Sequence, residues 1–272
     1  MTLARLNNLT ASMRTSKLDA VILNPGPTLT YLTGVHFHLM ERPVVLFVAP
    51  GQDPVLVLPE LELPKMELFP YKVQAVAYGE NPSEWENAFR KAAQALGLDG
   101  KRIGVEPRQL RLLEFSHVKA GAPESEFPDA SNVLSMLRLK KDKAEVDSMR
   151  RAVKIAQDAL EATIPLIKIG MTERELSSEL VMQLLKNGSD SEFPFAPIVS
   201  AGPNSANPHA SPTERKLQAG DLLVVDWGAA YEGYISDLTR TFSVGEVEDE
   251  YQRIHKIVQE SNAAGRAAGK PG

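Results

Sequence analysis

The stretch from Leu222 to Phe242 constrains this chain more than any other. Two arms rich in apolar and β-branched residues flank a short polar centre, the pattern of a β-hairpin. Each arm carries one aspartate. Asp226 lies five residues before Tyr231, and Asp237 five after Glu232. A turn centred between Tyr231 and Glu232 therefore sets the two carboxylates opposite each other across the ladder. Like charges in that position destabilise a strand pair. Burial among Leu222, Val224 and Ile235 would raise the cost further. A bound divalent cation removes both objections, because carboxylate oxygens ligate hard and borderline metals. The expectation is a metal-binding hairpin.

The rest of the chain is read around that hairpin. Its 272 residues suffice for two domains, and an apolar content of 43 % allows a sizeable core. A net charge of −5 without a dense basic cluster argues against nucleic-acid binding. The run Arg138, Lys140, Lys141 and Lys143 reads as a solvated connector. The absence of cysteine rules out disulfides, a thiol nucleophile and a thiolate zinc site. No signal-peptide core and no membrane-length apolar run are present, so a cytoplasmic protein without membrane contact is expected.

Strand and helix signals alternate through the first half. A helix is expected over 1–16, with Leu3, Leu6, Leu9 and Met13 on one face. Strands are expected over 19–23, 44–48, 54–58, 73–78 and 101–105. The segment from Pro82 to Leu96 reads as a helix facing Trp85, Ala88, Phe89, Ala92 and Leu96 inward, closed by Gly97. This is an α/β domain over residues 1–137. Residues 138–272 form the second domain. A long helix starts near Lys143, with Val146, Met149, Val153, Ala156 and Leu160 at helical spacing. Thr172 and Glu175 make a capping box for a helix lined by Leu176, Leu180 and Leu184. After Gly245 comes a further helix with Val247, Tyr251, Ile254 and Val258 on one face. Its run into Lys270–Pro271–Gly272 echoes Lys168–Ile169–Gly170, the pattern of a second repeat cut short after its first helix.

Four blocks carry a specific resemblance: Tyr31–Gly34 with Glu41–Pro43; Lys143 through Ala152; Phe193–Pro194 with Ile198–Asn204 and Pro208–Ala210; and Val225–Gly228 with Ser236–Phe242. With these blocks the chain resembles the pita-bread metallopeptidases, in their aminopeptidase P and prolidase branch. The resemblance implies a creatinase-like α/β amino-terminal domain followed by the first half of an α+β pita-bread domain. It implies two divalent metal ions (manganese, cobalt or zinc), with Asp226 and Asp237 as two of the ligands. It implies that His209 contacts substrate and stabilises the tetrahedral intermediate. Independently of the resemblance, Thr239 follows Asp237 by two, shares that strand face and could hydrogen-bond a ligand or metal-bound water. The implied reaction is hydrolysis of the bond before proline in proline-containing peptides. The first domain would cap the partner subunit's site or restrict substrate length, hence a homodimer.

The resemblance also implies a histidine and two glutamates that complete the metal site. None can be assigned in these 272 residues, and His255, on a helix, reads as a surface residue. The chain is therefore expected to be an inactive fragment as it stands. Two rivals are a creatinase-like hydrolase, against which both aspartates argue, and a non-catalytic pita-bread module that binds peptides or proteins. Phe193 and Phe195 could wall a pocket for a proline ring. Arg240 is expected on the opposite strand face as an ion-pair partner. His36 and His38, in a His-x-His pattern, are read as surface or interface residues.

Overall fold

A computed structural model describes residues 2–272 of this chain. It divides into two compact units, Met1–Lys141 and Asp142–Gly272. The first contains α1 (Thr2–Thr15), β1 (Ala20–Leu23), α2 (Pro27–Thr33), β2 (Val45–Val48), β3 (Val55–Pro59), β4 (Gln74–Tyr78), α3 (Pro82–Leu96), β5 (Ile103–Gly104), α4 (Leu112–Gly121) and α5 (Ser131–Leu139). The strands order as β4-β3-β2-β1-β5, with β1/β5 and β3/β4 parallel and β2 antiparallel to both its neighbours.

Every residue of β1, β2 and β3 is buried. Continuous apolar strands of this kind need cover on both faces. Ile22, Phe47, Val55 and Val57 pack with Trp85 and Phe89 of α3 on one side. Val21, Leu46, Leu56 and Leu58 pack with Leu9 and Met13 of α1 and Leu32 of α2 on the other. Asn81 caps α3 by accepting the Ser83 N–H, and Gly97 closes it in the left-handed region. Met1 of the expected first helix lies outside the described residues. Leu3, expected on its inner face, is 54 % exposed, because the burial starts one turn later at Leu6. The helices α2 and α4 and the 3-10 turn Glu60–Leu68 carry no apolar period and were not anticipated.

The second unit contains α6 (Lys143–Thr163), α7 (Glu173–Lys186), β6 (Ile198–Ala201), β7 (Leu222–Trp227), β8 (Ala230–Tyr231), β9 (Tyr234–Ile235), β10 (Leu238–Ser243) and α8 (Asp249–Ala268). Capping boxes start both α6 (Asp142 with Glu145) and α7 (Thr172 with Glu175). The inner face of α6 is rotated from the expected one. Ala152, Ile155, Ala156 and Ala159 are buried, whereas Val153 is 37 % exposed. Alanines let the helix approach the hairpin closely, and two α6 carbonyls accept bonds from it: the Trp227 indole N–H reaches Ala156 at 2.8 Å and the Ser236 hydroxyl reaches Ala152 at 3.1 Å. Trp227 joins Leu176, Leu180, Leu184, Val199, Leu223 and Val225 in the core of this unit.

The helix α8 buries no residue. Its sequence repeats α6 at a constant offset: Asp147, Arg151, Lys154, Ile155 and Gln157 correspond to Asp249, Arg253, Lys256, Ile257 and Gln259. The inward α6 residues Ala152, Ile155 and Ala156 match Ile254, Ile257 and Val258 of α8, which are 44 %, 50 % and 59 % exposed. The face that α6 buries is bare on α8. No helix among the described residues is long and apolar enough to cross a membrane.

Candidate metal centre

The hairpin register differs from the expected one. The turn is Glu232–Gly233, where both residues have positive φ (51° and 77°), as a two-residue turn between right-twisted strands requires. Asp226 therefore pairs with Thr239, and the same register sets Asp237 across from Gly228. The carboxylates are diagonal neighbours rather than direct partners. A slip of two residues keeps every side chain on its face, so Asp226, Thr239 and Asp237 still share one side of the sheet. Leu223, Val225 and Trp227 take the other side, in the core. The apolar neighbourhood is also more open than expected, since Leu222 and Val224 are half-buried and Ile235 is 55 % exposed.

Between the two parts of the hairpin the ladder breaks at Gly228. A Cβ there would lie 2.0 Å from the Ser236 carbonyl oxygen and 2.7 Å from Pro194 Cγ. Only glycine lets the strands come this close. The Ser236 hydroxyl accepts the Ala229 N–H at 3.0 Å and bridges the break.

Asp226, Asp237 and His209 line one cleft of about 450 Å³, together with Phe195, Ala196, Pro197, Ile198, Ala210, Ser211 and Pro212. Burial pushes the Asp226 carboxyl above its ordinary range; the Thr239 hydrogen bond pulls it down, the Asp237 charge pushes it up and His209 pulls it down. The Oδ1 atom of Asp226 is buried with no hydrogen-bond partner. Buried carboxylate oxygens are rarely left unpaired, and a second carboxylate beside this one deepens the cost. A divalent cation supplies what both lack, so the residues fit a metal. Of the expected aromatic pair, Phe195 lines the cleft, whereas Phe193 packs on the core. Arg240 lies on the helix side of the sheet as expected, but its guanidinium donates to the Thr239 carbonyl at 2.7 Å and makes no ion pair among the described residues. His255 is exposed on α8. His36 and His38 are exposed in the first unit, their rings 5.0 Å apart.

One buried carboxylate escaped the sequence reading. Glu173, the first residue of α7, is fully buried. It accepts the Ala201 N–H at 2.7 Å, the Asn204 amide at 3.1 Å on each oxygen, and the Thr213 N–H and hydroxyl at 3.0 and 2.6 Å. Burial pushes its carboxyl up, but these bonds outweigh that and hold it below the ordinary glutamate value of 4.5. Asp221 is held low as well, chiefly by its hydrogen bonds from Arg215. For carboxylates held low in the folded state, the stabilisation is complete above the unfolded value and is lost as pH falls through the folded one. Urea midpoints are thus expected to fall steeply once the pH drops below about 4.5, and Glu173→Gln should flatten that acid limb. An unchanged acid limb in the variant contradicts the assignment.

In chain order an α/β unit thus precedes a helix-backed sheet whose open face carries two carboxylates suited to a metal. Two family models divide the sequence between them. Residues 5–140 match the creatinase/prolidase N-terminal domain, and residues 147–272 match metallopeptidase family M24. The chain belongs to metallopeptidase family M24, in its pita-bread aminopeptidase P and prolidase branch. It is 28 % identical over 268 residues to the Xaa-Pro dipeptidase of Lactobacillus delbrueckii subsp. lactis, a match covering 98 % of this chain and 73 % of that protein. The dipeptidase structure from Pyrococcus horikoshii OT3 is 32 % identical with a TM-score of 0.86, covering 94 % of this chain and 70 % of that one. The prolidase from Thermococcus sibiricus is 28 % identical with a TM-score of 0.89, covering 97 % and 71 %. Membership of this family makes the chain a hydrolase of the divalent-metal peptidase type.

Proposed function

We propose that this protein is an Xaa-Pro peptidase of the aminopeptidase P or prolidase type, acting on the bond before proline with two divalent ions. The observation that carries the reading is the Asp226–Asp237 pair in one cleft with His209, with Asp226 Oδ1 buried and unpartnered. The names borne by the relatives agree with it. Asp226 and Asp237 would hold manganese, cobalt or zinc. Such ions supply a polarised substrate carbonyl and an activated water.

The chain's own residues do the rest. His209, exposed in the loop that lines the cleft, donates a hydrogen bond to the carbonyl oxygen as that oxygen gains negative charge. Thr239 stands directly across the ladder from Asp226, where its hydroxyl can orient the carboxylate. Phe195, Pro197 and Pro212 give the cleft apolar walls suited to a proline ring. The substrates are proline-containing peptides, the assembly is a homodimer, and a chain without cysteine suits the cytoplasm.

The cleft lining holds two carboxylates and one histidine, fewer donors than a di-metal site requires. The 272-residue chain should therefore bind metal weakly, with a dissociation constant on the order of 0.1–1 mM, the weak end of the range that ligand charge and rigidity set for protein calcium sites. It should not turn over peptide. Calorimetric titration with MnCl2 or CoCl2 checks the first point: Asp226→Asn and Asp237→Asn should each weaken binding at least about tenfold. Equal binding by wild type and the double variant would sink the metal reading. Metal-dependent cleavage of an Xaa-Pro dipeptide by this chain would overturn the expected inactivity. Metal-independent binding of a proline peptide would favour the non-catalytic module instead.

A further inference from the structure

The loop that carries His209 has almost no core of its own. Asn207, Pro208 and His209 are exposed, and only Ala210 in this stretch is buried. Apolar packing therefore does not set where His209 stands. A polar relay does. Glu173 takes donors from both ends of the loop, Ala201 before it and Thr213 after it, and from the Asn204 side chain within it. The Asn204 carbonyl accepts the Asn207 N–H at 3.1 Å, and the Asn207 side chain accepts the His209 N–H at 3.0 Å. Hydrogen bonds thus run without a gap from a buried carboxylate to the backbone of His209. The start of α7 closes the same ring from outside: the Glu173 N–H bonds Arg215 O at 3.0 Å and the Arg174 N–H bonds Thr213 O at 3.1 Å.

We propose that Glu173 is a positioning residue, which holds His209 beside the Asp226–Asp237 pair through Asn204 and Asn207. The proposal rests on the reading of His209 and the aspartates as one site. A buried carboxylate is a costly way to fasten a loop. Its charge makes each bond it accepts stronger than a neutral one, which suits a loop that must keep one exposed side chain at a fixed place.

Two measurements on the full chain test it. In metal-free protein, 15N relaxation at His209 is expected to give an order parameter near 0.85 in the wild type and below about 0.6 in both Glu173→Gln and Asn204→Ala. Asn204→Ala cuts the relay away from the buried carboxylate, so it keeps the test open should Glu173→Gln fold poorly. In the second measurement Co2+ is the paramagnetic probe. The imidazole protons of His209 should show the largest cobalt-induced shifts among the five histidines. In both variants those shifts should fall at least about twofold with cobalt affinity little changed, and in Asn204→Ala, which keeps the Glu173 carboxylate and its bonds to Ala201 and Thr213, the thermal midpoint should change little as well. A role in stability alone would move the midpoint and leave the cobalt-referenced shifts in place. Unchanged order parameter and unchanged shifts in Asn204→Ala overturn the proposal and leave the metal site standing. Absence of cobalt binding in the wild type overturns the metal site, and the order parameters then decide the role of Glu173 on their own.

Discussion

Replacing Gly228 by alanine is expected to destabilise the second unit by about 3 kcal/mol or more and to abolish divalent-metal binding. The added methyl would meet the Ser236 carbonyl oxygen at 2.0 Å, a backbone atom that cannot swing aside. Relief requires the β7 and β10 arms to part where they carry Asp226 and Asp237. Moving Ser236 also strains its hydrogen bonds to Ala229 and to the α6 carbonyl of Ala152. Each unit has a single tryptophan, Trp85 in the first and Trp227 in the second. In a Trp85→Phe background, the fluorescence of Trp227 during urea unfolding follows the second unit alone. A midpoint equal to that of the background protein would show that the strands accept the methyl and that the contact is unimportant.

Trp227→Ala should cost about 3–5 kcal/mol, the usual range for removing a fully buried aromatic side chain. Trp227 is 1 % exposed and sits between α6 and the α7 leucines. The vacated space cannot be refilled by its alanine neighbours on α6. Trp227→Phe separates the two contributions. It keeps most of the packing but loses the indole bond to Ala156, whose carbonyl retains its place in the helix, so the expected cost is about 1–2 kcal/mol. Circular dichroism during urea unfolding measures both, since the fluorescent probe is gone. Equal losses for the two variants would mean that the hydrogen bond, rather than the packing, anchors the hairpin.

The chemistry of the site was more legible in the sequence than its geometry. Asp226 and Asp237 stand out because two acids interrupt two apolar arms. Their register was misread because the turn was centred by symmetry, whereas positive φ at Glu232 and Gly233 moves it. The face survived the error because the slip is even. On α6 the expected apolar stripe was displaced toward Ala152, Ile155 and Ala159, because close approach to the hairpin favours small side chains over the larger Val153. Glu173 was invisible in another way. Local pattern explains it as a helix-start acid, and its partners, from Ala201 to Thr213, lie far away in sequence. The strands β1, β2 and β3 were read with little error, since fully buried strands are continuous apolar runs.

The bare stripe on α8 matters beyond the metal centre. Protein quality control responds to exposed apolar surface, whatever the state of a catalytic site. Tyr251, Ile254, Ile257 and Val258 present such a surface along one helix. Residues 1–272 expressed by themselves are then expected to be held at low abundance by that stripe, with Asp226, Asp237 and His209 unaltered.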